Sequence, residues 1–235
     1  MLAYTFTLKF SEYYPIVNAV PVPDFAAGEP AATIDAPKSS GRSALYNVSR
    51  HHDLHAHIRQ IYYDFKHLGY FDLYGASCFA ISTLVARILR SKGYDTEVRG
   101  CHAIFSKAGE DFYLGYKGYA RPGQVEGHVV CIANGNIVLD FGLGSVKKHY
   151  KNNFYRAIAC VASNYGPVLA TLELDSGIHV QWRTDWVGAE VDSELVNQEP
   201  YLQPILEKYE SYRKNRIGYL IKNMFKGTQS RSTFI

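Results

Sequence analysis

The sequence has little cysteine, little net charge and no long hydrophobic run. Its 235 residues contain four cysteines, at positions 78, 101, 131 and 160, and no Cys-x-x-Cys pair, which excludes a zinc ribbon, a thioredoxin motif and a disulfide scaffold. The net charge of +3 is too small to indicate a nucleic-acid partner. Composition therefore indicates an ordinary globular protein in which the cysteines act singly.

Membrane-spanning and targeting signals are also absent. No apolar run reaches the ~20 residues that a transmembrane helix needs. The N-terminal residues lack a basic region followed by an apolar one, so we expect no secretory signal peptide. The expected location is the cytoplasm, or outside the cell by export without a recognisable signal peptide.

Three segments differ in composition. Residues 1–50 hold five of the nine prolines, and proline cannot donate to a β-ladder, so we expect an extended arm without paired structure after a strand at residues 4–10. Its apolar residues favour packing along the domain, partly over Cys78. Residues 51–200 form the expected core. Residues 201–235 predict a basic amphipathic helix that packs on the core or contacts a membrane surface or a partner.

Hydrophobic periodicity predicts two helices before a run of strands. The first begins near His52 and ends before Gly69, and the second follows Ser77 as N-cap and ends before Gly93. Their apolar faces consist of Leu54, Ile58, Ile61, Tyr62, Phe65 and Leu68, and of Ile81, Leu84, Val85, Ile88 and Leu89. Strands are predicted at residues 96–105, 128–133, 136–141, 156–163, 168–174 and 178–183. This order predicts an α+β fold with an antiparallel sheet.

Cys78 stands apart from the other cysteines because it opens the second helix after a short Gly-Ala-Ser turn. The first turn of a helix has unpaired N–H groups and a positive dipole end, and both favour a thiolate, which is the nucleophilic form of cysteine. The Cys78 N–H could also face a developing oxyanion. By contrast, Cys101, Cys131 and Cys160 lie in strand-like apolar stretches and read as buried hydrophobic residues.

His128 and Asp140 complete a candidate catalytic triad with Cys78. His128 begins one predicted strand and Asp140 ends the next, and Asn134-Gly135 predicts a two-residue hairpin turn between them. Centring that turn places His128 opposite Phe141, diagonal to Asp140, and a one-residue bulge would bring His128 and Asp140 closer into register. A carboxylate there can hold one imidazole nitrogen and leave the other for a thiol. We expect the adjacent glycines, Gly127 and Gly142, to leave room for a substrate backbone.

This ordered set resembles the transglutaminase-like cysteine enzymes, within the wider papain-like fold. The segment HVVCIANGNIVLDFGLG is similar to their strand–turn–strand segment that starts with histidine and ends with aspartate and glycine, and DFGLG resembles the Asp-Val-Gly-Phe-Gly of arylamine N-acetyltransferases. The resemblance covers roughly residues 75–144. It implies an α+β core in which N-terminal helices carry the cysteine and an antiparallel sheet carries the histidine and aspartate.

The resemblance also implies an activity. It makes Cys78 the nucleophile, His128 the base and Asp140 the orienting carboxylate of an acyl-transfer enzyme. The reaction expected is cleavage of an amide or peptide bond in a protein, a peptide or a small amide; the alternatives are transfer to an amine and a non-catalytic binding or structural module on the same fold. The flanks depart from the acetyltransferase pattern, since Gly-Ala-Ser precedes Cys78 and Phe-Ala follows it. We expect no cofactor and no metal.

Competing sites are less complete. The segment HHDLHAH contains His51 and His55 at helical spacing for a shared metal, with Asp53 and His57 nearby, but no second ligand cluster is identifiable; a solvated polar face is the expected role. Adjacent strand residues such as Cys101 and His102 point to opposite faces and cannot act as a pair. The glycines of GLGS and YKGYARPG lack a following Lys-Ser or Lys-Thr, which excludes a phosphate-binding loop.

Overall fold

The computed structural model describes residues 43–45, 52–120, 125–163 and 166–216. Five helices and eight strands make up this part of the chain. In chain order they are β1 (Ser43–Leu45), α1 (His52–Leu68), α2 (Tyr70–Tyr74), α3 (Cys78–Arg90), β2 (Thr96–Lys107), β3 (Glu110–Leu114), β4 (His128–Ala133), β5 (Ile137–Asp140), α4 (Gly144–His149), β6 (Ala157–Val161), β7 (Val168–Leu174), β8 (Ile178–Arg183) and α5 (Val191–Lys214).

The eight strands form one sheet in the order β1-β6-β5-β4-β2-β8-β7, with β3 paired to β2. Neighbouring strands are antiparallel except β1 and β6, which are parallel. The sheet curls until the N–H of Ser163, just after β6, donates to the carbonyl oxygen of Leu169 in β7 at 2.7 Å. The prediction of an α+β fold with an antiparallel sheet is confirmed, and the sheet is nearly closed. A papain-like core remains a prediction.

Two hydrophobic cores lie on opposite faces of this sheet. Cys131 and Ala133 of β4 pack against the helices, whereas Val130 and Ile132 of the same strand pack into a second cluster with Trp182 of β8. Because both faces are covered, all six residues of β4 are buried, and its sequence shows no alternation of polar and apolar residues. β4 is therefore held on both sides, which fixes the strand that carries His128.

The first and third helices form as periodicity predicts. Their predicted apolar faces are buried or partly buried in the core between helices and sheet, and Gly69 and Gly93 follow with positive φ of 72° and 89°. Glycine adopts this conformation without a Cβ clash, which explains the two helix stops. Helix α3 thus presents its first residue, Cys78, at the end of the sheet where β5 finishes.

The structure differs from two expectations about the terminal segments. The N-terminal arm is not free of pairing after residue 10, because β1 pairs with β6 in parallel over Ser43–Leu45. The last proline of the arm is Pro37, so nothing prevents a ladder beyond it. The strand predicted at residues 4–10 and the predicted packing of the arm over Cys78 lie outside the described residues.

The C-terminal helix begins at Val191 rather than at residue 201. Pro200 and Pro204 lie inside this helix. Because a proline ordinarily marks a helix boundary, the sequence does not indicate the helical turns that precede residue 201. Leu202 and Tyr209 of the predicted apolar stripe are buried, and Ile205 and Leu206 pack against the helical core. Within residues 191–214 the stripe therefore faces the protein; the predicted continuation past residue 216 lies outside the described residues.

Besides β1, three short elements were not predicted from the sequence. Helices α2 and α4 and strand β3 contain five, six and five residues, too few for a hydrophobic period to show. Over the described ranges, no helix is at once long enough and apolar enough to cross a membrane.

Candidate active site

The turn before α3 places Cys78 at the first position of the helix. Ser77 occupies the N-cap position, and its carbonyl oxygen accepts the first helical hydrogen bond, from Ile81 N at 3.1 Å. The Ser77 side chain makes no capping hydrogen bond. Cys78 is partly exposed, whereas the other three cysteines are buried, and all four are free thiols. Cys78 is therefore the one thiol of the chain that a reagent or substrate can reach directly.

The β4–β5 hairpin differs from the predicted hairpin by one residue. Its loop has three residues rather than two, and Cys131 pairs with Leu139 and Ala133 with Ile137. Asn134 and Gly135 both have positive φ, of 50° and 68°, as predicted for these residue types, but Asn136 also belongs to the loop.

This difference decides which face each side chain occupies. A shift of one residue in register moves a strand's side chains to the opposite face of the sheet. Under the predicted register, Asp140 would lie on the face opposite to that of His128. In the observed register, Cys131 pairs with Leu139, so the next position along the two strands places Asp140 opposite Val130. Val130 lies two residues after His128, and Asp140 therefore lies on the same face of the sheet as His128.

The His128 and Asp140 side chains meet directly. Nε2 of His128 lies 2.8 Å from Oδ2 of Asp140, and both side chains are fully buried. A carboxylate can only accept, so Nε2 carries the proton of this hydrogen bond. The other ring nitrogen, Nδ1, is buried and has no hydrogen-bond partner among the described residues. Nδ1 is therefore the nitrogen that remains for a thiol or a substrate.

Asp140 receives two further hydrogen bonds. Nε1 of Trp182, in β8, donates to Oδ2 at 2.8 Å, and the backbone N–H of Gly142 donates to Oδ1 at 3.0 Å. With His128, three N–H donors from three parts of the chain hold one buried carboxylate. Neither Trp182 nor the Gly142 N–H was predicted as part of the site. Nothing in the sequence near Trp182 indicates this contact, because it depends on the pairing of β8 with β2 in the sheet.

Gly142 is the point where the three predicted triad residues come together. A methyl group at its Cα would lie 2.6 Å from Cβ of Cys78 and 3.3 Å from Cε1 of His128. The absence of a side chain at Gly142 lets the loop after β5 press against both residues. The nucleophile candidate and the imidazole therefore lie against the same glycine, whose N–H also holds Asp140.

The predicted role of the two glycines next to the triad is thus wrong. Gly142 leaves room for Cys78 rather than for substrate. At Gly127, which has a φ of 147°, an added methyl group would collide with the side chain of Val191, the first residue of α5. Both glycines permit close packing within the protein, which the sequence alone does not distinguish from open space for a ligand.

The surroundings of His128 favour its protonated form. Burial acts to lower its pKa, but the negative charges of Asp140 and Cys78 outweigh burial and raise the pKa from 6.5 to about 10. An imidazolium that stays charged at neutral pH is the partner that stabilises a thiolate. His128 therefore provides a positive charge beside Cys78 at neutral pH.

The other thiols have surroundings of the opposite kind. Burial raises the pKa of Cys131 and of Cys160 to about 12. Burial, together with the charges of Asp140 and Cys78, raises the pKa of Cys101 well above its ordinary value. These three cysteines stay protonated at neutral pH, in line with their expected role as buried hydrophobic residues.

The competing histidines have other roles. Nδ1 of His57 lies 2.8 Å from the hydroxyl of Tyr94, and His51 lies outside the described residues. His102 points away from Cys101, with Nδ1 3.0 Å from the carbonyl oxygen of Trp186. Burial lowers the pKa of His102, so its ring is neutral at physiological pH. The part of the chain that the structure describes contains no group of three or more His, Cys, Asp or Glu residues that could hold a metal ion.

Comparisons with known proteins identify no relative. No protein-family model, no curated protein and no solved structure matches the chain. The function must therefore be argued from the geometry around Cys78.

Proposed function

We propose that this chain is a thiol-dependent acyl-transfer enzyme in which Cys78 is the nucleophile, His128 the acid–base group and Asp140 the carboxylate that orients it. The observation that supports the proposal most is the 2.8 Å His128–Asp140 hydrogen bond, buried beside a partly exposed cysteine at a helix N-terminus. This arrangement provides what nucleophilic catalysis by a thiol requires: a nucleophile, a base beside it and a third group that orients the base. The proposed core is of the transglutaminase-like, papain-like type.

The first half-reaction forms an acyl-enzyme. The Cys78 thiolate attacks the carbonyl carbon of an amide, a C–S bond forms, and the electron pair of the C=O bond moves to the oxygen. The backbone N–H of Cys78, in the first turn of α3, is available to stabilise that oxyanion. Nδ1–H of His128 then gives its proton to the amide nitrogen, the C–N bond breaks, and the amine leaves.

The second half-reaction releases the acyl group. Neutral His128 takes a proton from water, the resulting hydroxide attacks the thioester carbon, and the C–S bond breaks to give a carboxylic acid and the thiolate. The same steps with an amine in place of water transfer the acyl group. We propose hydrolysis of an amide or peptide bond as the main reaction and transfer to an amine as the alternative. Throughout, Asp140 holds His128 in one tautomer and orientation.

Selective alkylation tests the proposal against a non-catalytic module on the same fold. At pH 6–7, iodoacetamide should label Cys78 far faster than Cys101, Cys131 and Cys160, as read by peptide mass spectrometry. The variant His128→Gln should lose this fast labelling while keeping its circular dichroism spectrum. Equally slow labelling of all four cysteines would favour the binding or structural module.

Trapping the acyl-enzyme distinguishes water from an amine as the acceptor of the acyl group. A p-nitrophenyl ester should acylate Cys78, detected as a mass increase that hydroxylamine removes and that Cys78→Ala lacks. Adding a primary amine such as glycinamide should leave the product a free acid for a hydrolase, and should divert it to the amide for an acyltransferase. A wild-type chain that forms no acyl-enzyme with any activated ester or thioester would contradict the proposal.

A further inference from the structure

A second feature lies beside the candidate active site. Helix α2, the turn at Gly75 and Ala76, and helix α4 enclose a cleft of about 220 Å³. Phe71 and Leu143 supply buried apolar surface to it. Its charged and polar lining consists of Asp72, Lys147, Lys148, Asn152 and Arg156.

Positive charge dominates this cleft. Its lining has three cationic side chains and one carboxylate, and that carboxylate is engaged: Oδ1 of Asp72 lies 2.8 Å from Nη1 of Arg156. Lys147 is partly buried, and burial together with the nearby charge of Arg156 lowers its pKa. A partly buried cation next to another cation is relieved when an anion binds.

The cleft begins next to the nucleophile. Its wall residue Ala76 precedes Cys78 by two positions, and two residues span at most about 7 Å. Gly144, on the facing wall, donates its N–H to the carbonyl oxygen of Gly75 at 2.8 Å. Gly142, two residues before Gly144, is in van der Waals contact with Cys78. Both walls of the cleft therefore continue directly into the backbone that surrounds the thiol.

We propose that this cleft binds an anionic group, a carboxylate or a phosphate, carried by the acyl substrate of Cys78. The inference rests on the proposed function and names the substrate class: an acyl compound or peptide whose acidic group lies about two residues' length from the carbonyl that Cys78 attacks. Phe71 lies beside the methylene groups of that link, and Lys147 supplies a positive charge next to the acidic group.

Matched alkylating reagents test the inference without knowledge of the natural substrate. N-iodoacetyl-glutamic acid α-amide and N-iodoacetyl-glutamine α-amide have the same shape and differ in one charge. Their phosphate counterparts are N-iodoacetyl-O-phosphoserine amide and N-iodoacetyl-serine amide. The second-order rate constants for alkylation of Cys78 are measured for each pair, with plain iodoacetamide as reference.

At least one acidic reagent should react about three- to fivefold faster than its neutral counterpart, the size expected for one or two partly exposed ion pairs. Lys147→Gln should bring that ratio close to one, with the iodoacetamide rate of the same variant as its reference. Lys92→Gln is the matched control, because Lys92 follows the other end of α3, about 20 Å from Cys78 along a helix of thirteen residues. It should leave the ratio unchanged.

The outcomes separate the two proposals. Preference for the glutamate reagent alone, or for the phosphoserine reagent alone, supports the inference and identifies the source of the anion. Fast alkylation by iodoacetamide without preference for either acidic reagent overturns the inference and leaves the proposed function intact, and a preference that persists in Lys147→Gln does the same. Slow alkylation of wild-type Cys78 by iodoacetamide overturns the proposed function and this inference with it.

Discussion

Trp182 and Asp140 are joined by a hydrogen bond between the indole Nε1–H and Oδ2 of the carboxylate, at 2.8 Å and fully buried. The same oxygen accepts the hydrogen bond from His128, so the indole restricts where the imidazole can lie. Trp182 is thus a positioning residue for the proposed acid–base group, although it lies in a different strand from both triad members.

Trp182→Phe should slow alkylation of Cys78 at neutral pH by about tenfold to a hundredfold, since a hydrogen bond to a charged group contributes roughly 1.5–3 kcal/mol. The measurement is the iodoacetamide rate constant, with the melting temperature as a check on folding. Trp186→Phe is the matched control: Trp186 follows β8 and packs beside His102. Equal effects of the two substitutions would contradict a positioning role for Trp182.

Asp140→Asn should preserve the fold and lower turnover by several orders of magnitude. The corresponding substitution in the Ser-His-Asp triad of a serine protease lowers turnover about 10⁴-fold. The amide can donate as well as accept, so it no longer fixes the proton on Nε2 of His128, and it no longer supports the charged imidazolium. Turnover of an activated ester measures the loss. Recovery of activity with added zinc, or inhibition of the wild type by a chelator, would point to a metal site instead.

Gly142→Ala should separate Cys78 from His128. The added methyl group would lie 2.6 Å from Cβ of Cys78, too close for any real contact, so the α3 N-terminus or the loop after β5 must move. We expect the fast alkylation of Cys78 to disappear and the free energy of unfolding to fall by about 1–3 kcal/mol, as for other overpacked sites.

Gly100→Ala is the control for overpacking as such. Its methyl group would lie 2.7 Å from Cγ1 of Val187, an exposed side chain that can rotate away, and 3.1 Å from Cγ1 of the buried Val191, which must shift only by a few tenths of an ångström. Fast alkylation should survive in this variant. If Gly142→Ala kept wild-type alkylation, the close approach at Gly142 would not matter for the site.

The stability of the protein should depend on pH through His128. The fold raises the pKa of this group from 6.5 to about 10, so the protonated imidazole stabilises the native state fully below about pH 6.5, and this contribution is lost as the pH rises through about 10. The free energy of unfolding of the wild type should therefore approach that of His128→Gln as the pH rises from about 6.5 to about 10. Urea unfolding across this range measures the difference, with His67→Gln on the exposed surface of α1 as control. A difference that grows with pH would contradict the assigned direction.

Local sequence patterns predicted much of the fold and part of the site. Helix α3 was predictable because its apolar face and following glycine are local signals, and strand β4 because its apolar run is bounded by Gly127 and Asn134. The hairpin register was not, because Asn-Gly indicates a turn but does not fix whether Asn136 belongs to it. That single residue determines whether Asp140 shares a face with His128.

Contacts that depend on distant elements could not be predicted. Trp182 has the sequence signature of an ordinary buried strand residue, and only the pairing of β8 with β2 brings its indole to Asp140. The cationic cleft has the same origin, because Lys147 lies in a helix too short to show in the sequence and Arg156 follows it in a loop. The role of Gly142 likewise depends on which segment passes over it.

The three donors to Asp140 also bear on how the protein folds. His128 and Trp182 lie 12 residues before and 42 residues after Asp140, and Cys78 lies further away in sequence. Contacts at such separations form slowly, because the chain must first lose the entropy of closing large loops. A chain still being synthesised cannot complete this site until β8 has emerged and paired. Under the proposed function, an unfinished chain would therefore lack the completed triad, and its Cys78 would not yet be activated.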